Sequence, residues 1–331
     1  MEANQMFTLK SRAIGLPEDS NFELRKAPVP ELGKGEVLVR TAYLSVDPYM
    51  RRMMNNPNYE LGSIFGGEAV GTVISSRHDG FREGDAVFGY WGWQTLAVFP
   101  GDKLLKLELE DLPIEAALGA VGMPGLTAYI GLLEIGQPKQ GETVVVSGAA
   151  GAVGSIVGQI AKMKGAHVIG ITGSDEKVAY VTEELGFDAA INYRTTPNLG
   201  DALSKVAQNG VDVYFDNVGG PIADAVIQLL NRKARVPICG QISQYNLTAP
   251  ENGLRVGPIL LNKSALMQGF MVDHYKERFP EGRKQLTEWV RLGYIRHREH
   301  IVEGLANTPQ AFISLFHGEN IGKLVVKVGD E

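Results

Sequence analysis

The chain has 331 residues, 44% of them hydrophobic and 21% charged, with a formal net charge of −6. That length accommodates two cores and the composition is globular, while the acidic balance argues against nucleic acid or an anionic membrane as a partner. A single cysteine, Cys239, excludes an internal disulfide and any multi-cysteine zinc site. The opening MEANQMFTLKSR is polar, not a charged-then-apolar leader. No apolar run approaches the ~20 residues of a membrane span. The expectation is a reduced, cytoplasmic, soluble protein with no membrane partner.

Taken in chain order, residues 1 to about 120 carry short β-rich runs at 37–43, 69–75 and 86–90, separated by turn signals at 33–35, 78–80 and 83–85. That spacing predicts a small, partly open β-barrel. From Val121 the pattern becomes strands alternating with helices, with strands expected at 144–147, 167–172, 189–193, 211–215, 235–239 and 266–272. This is the doubly wound plan of a Rossmann domain. A helix over 276–292, with Leu286, Trp289 and Val290 apolar, leads out of it. A second helix follows, with Thr308 as N-cap, Pro309 at N1 and Gly318 at C′. The last strand, 323–328, has no place in a finished six-stranded sheet and is assigned back to the N-terminal domain. The fold expected is therefore α/β: a doubly wound parallel sheet at 123–295, and a β-rich domain at 1–122 plus 296–331.

The stretch 143–177 reads as strand, glycine turn, helix and second strand. Residues 143–147 are a β-branched run suited to a strand buried on both faces. Gly148, Gly151 and Gly154 follow at a spacing of three, where the chain must turn, approach a pyrophosphate with bare backbone and start a helix against the sheet. Val153, Ile156, Val157 and Ile160 then form one apolar helix face. GxxGxxG alone also occurs in ordinary turns; the flanking strand and helix supply the context it needs. An NAD enzyme would place Asp or Glu about 20 residues past the glycines, at the end of the second strand. Here Gly173 and Ser174 stand there, with Lys177 one helical turn on. A small residue leaves room for a 2′-phosphate, the serine can donate to it and the lysine can neutralise it. Lys177 also reads as a solvated helix residue, and Ser174 as the N-cap of a helix whose first turn holds Asp175 and Glu176. The missing acid favours NADP.

The order and spacing of several motifs make the chain resemble, end to end, the medium-chain dehydrogenases/reductases. Within them it is most similar to the leukotriene B4 dehydrogenase/prostaglandin reductase and alkenal double-bond reductase family. The carriers are Val46-Asp47-Pro48-Tyr49-Met50-Arg51, Gly122-Met123-Pro124-Gly125, Gly151-Ala152-Val153-Gly154-Ser155, Gly173-Ser174-Asp175-Glu176-Lys177, Asp216-Asn217-Val218-Gly219-Gly220, Cys239-Gly240-Gln241-Ile242-Ser243 and Gly322-Lys323. The resemblance implies a GroES-like β-rich domain and a homodimer through edge strands of the nucleotide domains. It departs from the zinc alcohol dehydrogenases, which carry Gly-His-Glu and ligating cysteines where this chain has Gly66-Gly67-Glu68 and no cysteine nearby. Without those ligands no zinc polarises an oxygen. The segment His297-Arg298-Glu299-His300 has ligand-like spacing but basic surroundings and no third ligand in view, so no metal is expected.

The resemblance assigns NADP contacts to Thr127, Gly151, Ala152, Val153, Gly154, Ser155, Ser174, Lys177, Tyr193, Asn217, Cys239, Gly240, Ser243, Tyr245, Phe270, Met271, Val272 and Asn320. Phe270 and Val272 read equally as strand core, and Cys239 as a small buried hydrophobe. The implied reaction is NADPH-dependent reduction of the C=C bond of a conjugated aldehyde or ketone. Tyr245 is the first candidate to donate to the developing enolate oxygen, with the alternative that it only packs against the cofactor. Tyr49, the second catalytic candidate, is expected to line the substrate cleft with Met50 and Arg51, beside Met53; Arg51 stands open as a cleft cation or a rim residue. Two rivals remain: an NADPH-quinone oxidoreductase, and a non-catalytic NADPH-binding sensor or structural protein.

Overall fold

A computed structural model describes residues 3–109 and 111–329, which fall into two units, Met1–Leu118 with Glu299–Glu331 and Gly119–Arg298. The chain begins with strands β1 (Asn4–Leu9) and β2 (Phe22–Ala27), an antiparallel pair. Strand β3 (Glu36–Ser45) leads through a short helix α1 (Met50–Met54) to β4 (Ala69–Ser76), β5 (Ala86–Gly89), β6 (Leu96–Pro100) and β7 (Leu105–Lys106).

The second unit then runs α2 (Met123–Ile130), β8 (Thr143–Ser147), α3 (Gly154–Met163), β9 (His167–Thr172), α4 (Asp175–Ala179), β10 (Ala189–Asn192) and α5 (Leu199–Val206). It continues with β11 (Val211–Phe215), α6 (Gly220–Ile227), β12 (Leu230–Ile238), α7 (Gly257–Lys263), β13 (Leu266–Gly269) and α8 (Phe279–Arg291). The chain closes the first unit with β14 (Glu299–Glu303), α9 (Thr308–His317) and β15 (Lys323–Lys327).

In the first unit a mostly antiparallel sheet has the order β14-β15-β3-β4-β5-β7, and β6 pairs with β3 as well. The tail strand therefore belongs to this unit, beside β3 and parallel to β14. Its core is aromatic: Phe65 and Trp93 meet edge-on at 4.9 Å, with Phe22 and Phe312 around them. Such pairs add about 0.5–1.5 kcal/mol each beyond their buried area.

The second unit is the doubly wound sheet, all parallel, in the order β10-β9-β8-β11-β12-β13. Val144, Val145 and Val146 of β8 are fully buried, as a strand covered on both faces requires. Strand order reverses between β8 and β11, and the carboxyl ends of the strands there form the ligand-binding edge of such a sheet.

Three expectations shift. Thr308 lies inside α9 instead of capping it; Asn307 holds the cap position, and the buried Thr308 hydroxyl donates to the Leu305 carbonyl at 2.7 Å. The strand expected over 266–272 stops at Gly269, and Val272 opens a 3₁₀ turn. The strand expected at 235–239 begins at Leu230.

Candidate functional site

The turn between β8 and α3 brings Gly148, Gly151 and Gly154 together. A side-chain carbon on Gly154 would fall 2.3 Å from the Gly148 carbonyl oxygen, so the helix can start this close to the turn only with glycine there. Ile156, Val157 and Ile160 are buried on one face of α3 and Ser155 is buried in its first turn. The N–H groups of Ser155, Ile156 and Val157 are taken by the Gly151 and Val153 carbonyls at 3.0–3.1 Å, so a pyrophosphate would meet the turn just ahead of them, at the positive end of the helix.

At the end of β9, Ser174 caps α4, its hydroxyl accepting from the Lys177 N–H at 3.3 Å. Asp175 accepts from the Asn192 side chain at 2.7 Å. Tyr193 continues β10 alongside, its N–H donating to the Thr172 carbonyl at 3.0 Å. A side-chain carbon on Gly173 would lie 3.3 Å from the Tyr193 ring and 3.4 Å from Arg194 Nε. The Arg194 guanidinium stands 5.9 Å from the centre of the Tyr193 ring. Burial, then the nearby Arg194, pushes the Lys177 ammonium below its usual pKa. Two cations thus converge on one strand end, and an anion there would relieve their repulsion. Arg194 was missed by the sequence reading; its signal was adjacency to Tyr193, hidden in the loop-like NYRTT.

The carboxyl ends of β8 and β11 are tied by a buried carboxylate. Asp216 is 2% exposed. Its Oδ1 accepts from the Tyr214 hydroxyl at 2.7 Å, Ser147 Oγ at 3.1 Å and the N–H groups of Val218 and Gly219 at 3.0 and 2.9 Å; Oδ2 accepts from Gln241 Nε2 at 2.8 Å. Burial and the neighbouring Asp216 charge push the Tyr214 phenol well above its usual range, so it stays a neutral donor. Asn217 is held by donating to the Ser147 carbonyl at 2.8 Å, and Ser243 by donating to the Val218 carbonyl at 2.7 Å. The Cys239 and Gly240 N–H groups both donate to the Asp216 carbonyl, at 2.8 and 3.1 Å. Burial, then Asp216, pushes the Cys239 thiol up to about 12, which keeps it an unreactive neutral group. The Tyr245 hydroxyl accepts from the Gln241 N–H at 3.3 Å. Beyond β13, Phe270 packs edge-on to Phe215 at 6.3 Å, Val272 is buried and Met271 is half exposed. Thr127 lies on α2.

Tyr49, Met50, Arg51 and Asn320 lie in the first unit. Tyr49 is half-buried at the start of α1. Met50 is fully buried in the core, with Met53 packed against that core. Arg51 is 4% exposed and donates to the Ala13 and Gly15 carbonyls at 3.3 and 2.9 Å. Asn320 donates to the Gly322 carbonyl at 2.8 Å. Of the segment His297-Arg298-Glu299-His300, Arg298 pairs with Glu184 at 3.1 Å, and Glu299 and His300 begin β14. Among the described residues no three His, Cys, Asp or Glu side chains gather to hold a metal, and no helix is long and apolar enough to cross a membrane.

Two family models match the chain: the N-terminal domain of oxidoreductase over residues 5–107, and zinc-binding dehydrogenase over 152–288. Prostaglandin reductase 1 of Bos taurus is 47% identical, with 97% of this chain and 98% of that protein covered. NADPH-dependent curcumin reductase of Escherichia coli (strain K12) is 43% identical, with 100% and 99% covered. Among solved structures, CurA from Vibrio vulnificus in complex with NADPH superposes with a TM-score of 0.92 at 45% identity, covering 99% of this chain and 100% of that one.

Proposed function

This chain belongs to the NADP-dependent double-bond reductase family of the medium-chain dehydrogenases/reductases, and from that premise we propose that it reduces the C=C bond of α,β-unsaturated aldehydes and ketones without a metal. The second unit is the cofactor-binding unit. The pyrophosphate would sit over the turn that enters α3, at Gly151, Ala152, Val153, Gly154 and Ser155. Ser174, Lys177, Tyr193 and Arg194 take the 2′-phosphate, since two cations and two hydroxyls suit a dianion. Asn217, Cys239, Gly240, Ser243, Phe270, Met271 and Val272 line the nicotinamide end, and Thr127 and Asn320 complete the cofactor set. NADPH, when bound, supplies the hydride for the β-carbon of the substrate.

Electron density displaced from the C=C bond collects on the carbonyl oxygen, where a donor lowers the barrier most. The observation that carries the reading is the Tyr245 hydroxyl. The Gln241 N–H occupies one of its lone pairs, which leaves its hydrogen to be donated, and a phenol donates without first changing charge. The α-carbon takes its proton from solvent. Tyr49 is the substrate contact, held from behind by Met50 and Arg51, which are buried and do not themselves line a cleft. We assign the chain to the cytoplasm as a homodimer paired through the edge strands of the nucleotide units, with no nucleic-acid partner.

The test follows the loss of reduced-nicotinamide absorbance with a long-chain 2-alkenal, an enone and a quinone, and identifies products by mass and NMR. A saturated product with its C=O intact, formed equally after chelator treatment, is the expected result. Turnover of the quinone alone would move the activity to an NADPH-quinone oxidoreductase. NADPH binding without turnover would make the chain a sensor or structural protein.

A further inference from the structure

The loop that carries Tyr49 is fixed from two sides. Lys323, only 3% exposed, donates to the carbonyls of Val46 and Leu324 at 2.9 Å each and to Asp47 Oδ1 at 3.0 Å. Ser45 donates to Asp47 through its hydroxyl, and to the Glu68 carbonyl through its N–H at 2.9 Å. On the far side, α1 is locked by buried Met50 and Met54 and by Arg51 on Ala13 and Gly15. The ring of Tyr49 therefore leaves a stationary backbone.

Its hydroxyl ends against Gly67. A side-chain carbon built there would fall 2.5 Å from Tyr49 Oη, 3.2 Å from Met50 Cε and 3.7 Å from Tyr49 Cζ. The glycine backbone cannot retreat. Its carbonyl accepts from the Gly92 N–H at 3.1 Å. Phe65, two residues before it, is paired with Phe7 at 2.8 Å and with Trp93 at 2.7 Å. Glu68, one residue on, is 1% exposed and accepts from the Tyr90 hydroxyl at 2.9 Å. A side chain at 67 displaces the far end of Tyr49, not the fold.

We propose that Gly67 is a positioning residue for the substrate: the space left by its missing side chain is where the Tyr49 hydroxyl is held for contact with the oxygen-bearing end of the conjugated carbonyl. This rests on the reductase reading, because Tyr49 has a substrate role only within it. Gly67 and Tyr49 then act as one unit, so that occupancy of position 67 by a methyl group and removal of the hydroxyl damage the same contact.

The experiment compares wild type, Gly67→Ala, Tyr49→Phe and the double variant by steady-state kinetics with an enone, and by NMR of carbon-labelled tyrosine Cζ. Gly67→Ala should raise the enone KM roughly tenfold, the worth of one hydrogen bond, with the NADPH KM unchanged. The Tyr49 resonance, identified by its loss in Tyr49→Phe, should shift in Gly67→Ala. Without the hydroxyl oxygen the methyl group meets only flexible or distant atoms, so the double variant should match Tyr49→Phe alone. An unmoved resonance would overturn the seat. A moved resonance with an unchanged KM, or a double variant as poor as the product of the two singles, would overturn its positioning role. If the wild type reduces no enone, the reductase reading fails and the substrate role goes with it, while the resonance still decides whether Gly67 fixes the ring.

Discussion

Lys177 and Arg194 lie close enough for one to depress the proton affinity of the other, a cost that a bound dianion reverses. Each proposed charge-assisted contact is worth about 1.5–3 kcal/mol. Lys177→Ala and Arg194→Ala should therefore each weaken NADPH binding roughly ten- to a hundredfold while leaving NADH binding nearly unchanged. Fluorescence titration of both cofactors checks this, and an equal loss for NADH would remove the pair from the 2′-phosphate. Gly173→Asp should do more harm than either. Its side chain starts against Tyr193 and Arg194 and places a like charge beside the phosphate. Tyr245→Phe tests the other end of the cofactor. Loss of a donor to the developing oxyanion should lower kcat by about a hundredfold with KM little changed, and equal turnover would exclude Tyr245 as donor.

Between elements, Asp216 joins β8, β11 and the loop after β12. Asp216→Ala leaves Ser147, Tyr214, Gln241 and two N–H groups facing a gap, and each orphaned buried donor costs about 1–3 kcal/mol. A loss of at least ~3 kcal/mol in denaturant stability is expected, together with a raised NADPH KM, because Gln241 also holds Tyr245. Stability within 1 kcal/mol of wild type, a change of the size common for surface substitutions (roughly 0.5 kcal/mol), would show the network to be dispensable. This network was half legible in the sequence. The alternation of strand and helix from 143 onward was readable because glycine turns and apolar helix faces are local signals. So was the absence of an acid at 173. The hub at Asp216 was not, since its partners come from three separate stretches and only folding assembles them. The β1–β2 pair escaped notice because its strands are twelve residues apart and mix buried with exposed positions. The strand at Glu299 and His300 was not legible because their partners on β15, Lys323 and Leu324, lie twenty-four residues on. The seat under Tyr49 needs two residues eighteen apart.

At the scale of the whole molecule, both units carry carboxylates held below their ordinary pKa. In the second unit Asp188 resists the upward push of burial through Lys162 at 2.7 Å and the Val168 N–H at 2.7 Å, joining α3 to the start of β9. Glu142 does the same against Arg235 at 2.5 Å. In the first unit Asp85 is lowered by Lys106 at 2.7 Å and by the Arg82 N–H at 3.0 Å. A carboxylate of this kind binds its proton less readily folded than unfolded. It stabilises the fold above the unfolded values, about 3.9 for Asp and 4.3 for Glu, and that stabilisation drains away as pH falls through the lower folded values. The melting temperature should therefore hold from neutral pH to about 5 and then fall. Asp188→Asn isolates one contributor. It should lower stability near neutral pH by on the order of 1 kcal/mol, as expected of a partly exposed pair. The difference from wild type should shrink as pH falls below the unfolded value of about 3.9 and through the lower folded value, at which the wild-type carboxyl also takes up its proton. A gap that stays constant down to that pH would mean Asp188 acts through packing and hydrogen-bond shape, with its charge contributing nothing to the acid limb.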